Sequence, residues 1–173
     1  MWKLTFSRAR YIIYLRYILQ NTFARNAALP RKENMNRHQA RELAFCLLFE
    51  HEFDKPRAMK EVYDFAKEAR DAEENKYVRA TRAGIAEHEG ELEAMIEEAA
   101  EGWSIARISR VSLAILKLCA YEMHFCPDIP IRVSLNEAIE LVKTYGEDNA
   151  KGFVNGILNT LAKRAKENRP DEA

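Results

Sequence analysis

Arg37, Arg41, Phe45 and Phe49 recur at i, i+4, i+8 and i+12 within "MNRHQARELAFCLLFE", residues 35–50. Guanidinium groups grip phosphates and unpaired bases stack on aromatic faces, so residues of these types in one row could bind single-stranded nucleic acid. A second row stands beside the first. Ala40, Leu43, Ala44, Leu47 and Leu48 make one apolar stripe of helical period, and that stripe faces a core. On pattern alone the Arg–Phe row has a plainer reading, with the rings as core and the arginines as solvated surface.

The rest of the chain offers no catalytic set. His38, His51, His88 and His124 are scattered, with no HExxH motif and no second pair to join His124 and Cys126 in a metal site. The carboxylates crowd into stretches such as "EGELEAMIEEAAE", the pattern of a solvated face. No glycine loop suited to cradling a phosphate is present. The expectation is a protein that is not an enzyme, with no catalytic residues, no metal and no cofactor.

Composition narrows the class further. A chain of 173 residues with 47% apolar residues can bury one proper core. Cys46, Cys119 and Cys126 form an odd, sparse set without a CxxC pair, which fits small apolar packing groups in a reducing, cytoplasmic compartment. No apolar run reaches the length of a membrane span. The net charge of zero conceals a division: residues 1–32 hold seven basic residues and no acid, leaving 20 basic against 27 acidic residues over 33–173. Such a body cannot bind nucleic acid by bulk charge, so any binding must be local.

These residues need elements to hold them, and every patterned segment reads as helix. Residues 1–34 are basic and aromatic, acid-free over 1–32, ending near Pro30; they read as a targeting peptide or basic membrane-surface helix or, in the preferred reading, as an extension outside the core, with translation beginning at Met35. The patterned domain is expected over 35–168, followed by a polar tail over 169–173. A first helix spans about 36–52, and Pro56 opens a second with Met59, Val62, Tyr63 and Ala66 inward. A long segment over about 75–100 follows, with Gly84 and Gly90 marking where it can break. Ser109 caps a helix whose middle, "LAILKLCAY", is apolar nearly all round and so belongs at the centre. Ser134 and Glu137 have capping-box spacing, and Gly146 suits the C′ position of the helix they open. A last helix, about 150–167, buries Val154, Ile157, Leu158 and Leu161, and leaves Gly152 and Gly156 as a smooth patch. The fold class expected is all-α, a compact bundle of about seven helices.

Three stretches resemble the NusB family of bacterial antitermination factors. They are "RHQARELAFCLLFE", the run from Trp103 through "ILKLCAYE" to "IPIRVSLNEAIEL", and "KGFVNGIL". With "RAGI" at 82–85 the resemblance covers about 36–163. It implies an RNA-binding factor that binds the boxA element together with NusE, a small-subunit ribosomal protein. Such a factor works in the RNA polymerase antitermination complex, promoting read-through of ribosomal RNA operons. It also implies RNA-binding roles for Arg37, Arg41 and Phe49 on the first helix, and for Asp148 and Phe153 near the last. His38, Lys143 and Lys151 join them as phosphate contacts on charge alone. The chain departs from the family in having His38 and Gln39 where arginines are common, and Phe49 where tyrosine is usual. In "EDNAKGF" the spacing from acid to Phe is one residue longer. Two other readings carry the same fold: an RNA-binding module acting with a ribosomal RNA methyltransferase, and a helical adaptor that binds protein alone.

Overall fold

The computed structural model describes residues 36–53, 75–146 and 150–169. The extension expected over 1–34, the helix expected from Pro56, Asp148 and residues 170–173 of the tail fall outside the described residues. Within them lie six α-helices: α1 (Arg37–Phe53), α2 (Lys76–Glu87), α3 (Glu89–Ala99), α4 (Arg110–Phe125), α5 (Ile131–Tyr145) and α6 (Ala150–Asn168). One 3-10 turn, Ile105–Arg107, joins α3 to α4, and no strand occurs among the described residues.

The segment expected over 75–100 is two helices rather than one. His88, at φ −104° and ψ 17°, ends α2 and begins α3; its N–H donates to Gly84 O while its carbonyl accepts from Leu92 N. The break falls between the two glycines, where helix propensity is weakest.

Helix α4 is the centre of the bundle and packs against each of the other five. Ser109 caps it, its Oγ accepting from Ser112 N. Leu113, Ala114, Ile115, Leu116, Leu118, Cys119, Ala120 and Met123 are all buried. Burial on every side follows from the absence of a polar face over those residues. At its far end, Arg169 donates to the carbonyls of Met123, Pro127 and Ile129, holding the turn from α4 into α5.

The capping box is not formed. Helix α5 begins at Ile131, one turn earlier than the spacing implied, with Pro130 at the cap. A proline needs no N–H partner there, and its fixed φ suits the entry to a helix. Ser134 is thereby drawn inside the helix, 1% exposed, and Glu137 is released for other partners. Gly146 does cap α5, but at φ −76° it is extended rather than left-handed. Its need is for smallness: a Cβ there would stand 2.6 Å from Val142 O.

Candidate nucleic-acid interface

The Arg–Phe row of α1 does not run straight along the helix. Steps of four residues advance about 40° past a full turn, so the row winds around the helix as it rises. Arg37 starts it in solvent, whereas Arg41, Phe45 and Phe49 lie at 3%, 2% and 8% exposure. Phe45 stacks with Phe49 at a centroid distance of 6.1 Å and meets Tyr145 of α5 at 4.8 Å. Both rings are core.

Arg41 is buried in an ion-pair network. Its Nε donates to Glu122 Oε1 and Oε2 of α4 at 2.9 and 3.1 Å, and its Nη1 lies 3.2 Å from Glu137 Oε2 of α5. Tyr77 of α2 donates its hydroxyl to the same Glu122, 2.5 Å away. Burial, then the Glu122 charge and hydrogen bond, push the Tyr77 pKa far up, so this phenol stays protonated and donating. Burial alone would depress the Arg41 pKa, but Glu122, Tyr77 and Glu137 outweigh it, and the net direction is upward.

Several basic side chains around this network meet solvent. Arg37 is exposed, its guanidinium 4.6 Å from the centroid of the Tyr77 ring. His38 is exposed too, and its Nδ1 lies 2.7 Å from Glu137 Oε2, tying the start of α1 to α5. Lys143 pairs with Glu140 at 2.5 Å, one turn back on α5. The Lys143 hydrogen bond, together with the charges of Lys143, His38 and Lys151, holds the Glu140 carboxyl below its ordinary value. Basic side chains of α1, α5 and α6 thus all act on this one exposed carboxyl.

A short aromatic ladder stands at the start of α6. Phe153, half-buried, lies 5.2 Å from the Trp103 ring at an interplanar angle of 56°, and Arg107 Cζ lies 5.2 Å from the same Trp103 ring. Trp103 is 45% exposed. It leaves α3 through a tight turn in which Glu101 (φ 40°) and Gly102 (φ 88°) are both left-handed, a conformation Gly102 adopts without cost.

A second buried cation belongs to the scaffold. Lys117 of α4, with its side chain 2% exposed, reaches Glu52 of α1 at 2.6 Å and Glu89 and Glu93 of α3 at 3.0 and 2.8 Å. Burial works against its charge, but the hydrogen bonds that it donates to Glu52, Glu93 and Glu89 prevail and raise its pKa. The three carboxylates have metal-ligand spacing, yet the ammonium group already holds all three.

Comparison with known proteins places this arrangement. The pattern described as the NusB family matches residues 38–163. The chain belongs to the NusB family. The transcription antitermination protein NusB of Clostridium acetobutylicum is 38% identical over 135 residues, 77% of this chain and 99% of that protein. That of Agathobacter rectalis is 41% identical over 131 residues, 74% of this chain and 100% of that protein. Among solved structures, T. maritima NusB superposes with a TM-score of 0.69 at 33% identity, covering 80% of this chain and 99% of that one. A complex of the antitermination factors NusB and NusE with double-stranded RNA matches at TM-score 0.66 and 24% identity, over 75% of this chain and 99% of that one. At that identity the likeness is one of fold.

Two of the residues that the NusB resemblance marked on α1 are buried. Arg41 and Phe49 are not surface groups, because the winding of the row turns them into the core. Arg37 and His38 remain exposed, and so does Lys151, while Phe153 is half-buried beside Trp103. Trp103 and Arg107 were not singled out as site residues. Their i, i+4 spacing is one that any helix face produces, so it carried no signal of its own. Gly152 and Gly156 keep open space around them: beyond the adjoining residues and the helix's own nearby backbone, no atom lies within 4 Å of where a Cβ would stand.

Proposed function

We propose that this chain is an RNA-binding transcription antitermination factor. It binds boxA RNA together with the ribosomal protein NusE and acts in the RNA polymerase antitermination complex. It works in the cytoplasm as a binding protein, not an enzyme. The observation that carries this reading is that basic side chains from three helices of a NusB fold, His38, Lys143 and Lys151, all stand exposed to solvent. In a body with more acidic than basic residues over 33–173, a local gathering of cations is what phosphate binding requires. Arg37 adds an exposed guanidinium at the start of α1, and Phe153 a ring for stacking. We assign RNA contact to Arg37, His38, Lys143, Lys151 and Phe153.

The curated relatives are matched over 99% and 100% of their own length, so the likeness is to whole antitermination proteins. This favours the antitermination reading over a module serving a methyltransferase. Fluorescence polarisation of a labelled single-stranded boxA RNA, titrated with and without NusE, tests it. Binding that tightens with NusE and weakens with salt is the expected result. Absence of RNA binding in the presence of NusE would leave only the protein adaptor.

A further inference from the structure

We propose that Trp103 and Arg107 form a nucleotide subsite, in which one unpaired base of a single-stranded RNA stacks on the Trp103–Phe153 pair while its phosphate meets Arg107. The proposal rests on the RNA-binding reading above and adds two residues and a mode of contact to it.

Four observations converge. Trp103 is a large apolar ring left 45% exposed. The turn before it is held by two consecutive left-handed residues, Glu101 and Gly102, which fix the indole's point of departure from α3. Its neighbours are one more ring, Phe153 at 5.2 Å, and one cation, Arg107, 5.2 Å from the ring centroid. Lys151 stands exposed two residues before Phe153. Rings and cations side by side offer a nucleotide both of its complements, a π face for the base and positive charge for the phosphate.

A protein partner is the competing occupant, and the chemistry disfavours it. An apolar anchor pressed onto Trp103 would take the Arg107 guanidinium out of water with nothing to pair it, a costly outcome for a buried charge. A nucleotide brings the counter-charge with it.

The chain has two tryptophans, Trp2 and Trp103, so the full-length W2F variant reports on Trp103 alone. Its emission is to be followed while a single-stranded boxA dodecamer is added in the presence of NusE, alongside polarisation of the labelled RNA. The expected result is quenching that saturates at the same RNA concentration as binding. Trp103→Ala should weaken RNA binding roughly 5- to 140-fold, the range of one lost base–aromatic stack. Trp103→Phe, which keeps a ring, should retain most of the affinity. Arg107→Ala should lower the slope of log K against log salt by roughly 0.7.

Unchanged emission together with unchanged affinity of Trp103→Ala would overturn the subsite and leave the antitermination reading standing. Loss of NusE binding in Trp103→Ala with RNA affinity intact would overturn it too, assigning the ladder to protein. Absence of RNA binding by the unaltered protein with NusE present would remove both readings. Should Trp103→Ala fail to fold, the emission titration and the Trp103→Phe variant decide.

Discussion

Arg41 donates from Nε to both carboxylate oxygens of Glu122, at 2.9 and 3.1 Å, with the two side chains 3% and 1% exposed. The pair lies between α1 and α4, with Tyr77 and Glu137 completing it. Removing one member strands a charge in the core. Arg41→Ala should therefore destabilise the fold by about 3–5 kcal/mol, and Glu122→Ala by a similar amount. The double variant Arg41→Met, Glu122→Leu should be far less harmful than the two losses added together. Urea melts of the three variants measure this; additive losses would mean that the two groups do not act as a pair.

Ser134 carries the opposite expectation. Its hydroxyl is buried and finds no hydrogen-bond partner among the described residues, in the first turns of a helix that Pro130 already caps. Ser134→Ala removes an unsatisfied polar group and improves helix propensity, so a gain of about 0.5–1 kcal/mol is expected. Thermal unfolding checks the sign. A loss would mean that the hydroxyl serves as the cap its spacing first suggested.

Arg37 and Lys151 are exposed and neither fills the core. Replacing both by Ala should leave the melting temperature unchanged while weakening binding of single-stranded RNA. The slope of log K against log salt should fall by roughly 0.7 for each phosphate no longer neutralised. Titrations at two salt concentrations make the comparison, and an unaltered slope would place the RNA elsewhere on the protein.

His124 makes stability depend on pH. Burial lowers its pKa from 6.5, and Arg164 and Arg169 act in the same direction, against the Leu161 carbonyl and Glu91, which raise it. With the folded pKa below the unfolded one, the unfolded chain takes up its proton first as pH falls. The stability that neutral His124 contributes is whole above about pH 6.5 and is lost as the pH drops toward the folded pKa. His124→Gln should therefore lose less stability than the unaltered protein between about pH 7.5 and about pH 5.5. Melts at the two values test this, and equal losses would show that other groups set the acid limb.

Legibility of the sequence followed the strength of its periods. The stripe Ala40–Leu43–Ala44–Leu47–Leu48 and the apolar run of α4 announced their burial, since each matches one helical face or all of them. Arg41 was misjudged as surface because residue type outweighed angle. An i+4 row drifts about 40° at each step, and its second member had already turned inward. What makes burial of an arginine tolerable is Glu122, 81 residues away, and no local pattern announces such a partner. Ser134 failed for a related reason: its spacing to Glu137 met the capping rule, but Pro130 began the helix first and Glu137 went to Arg41 and His38. The aromatic ladder was illegible as a unit because Trp103 and Phe153 lie 50 residues apart.

The central helix carries two buried charges, each neutralised from other helices. Glu122 is matched by Arg41 of α1, and Lys117 by Glu52 of α1 and by Glu89 and Glu93 of α3. An α4 packed by its apolar residues alone would hold both charges unmatched, so partly assembled bundles are penalised. Detaching α1 would expose both sites at once. The expected behaviour is loss of α1 and α4 together, as one cooperative unit. Native-state hydrogen exchange should find the amides of these two helices opening with a common free energy, close to that of global unfolding.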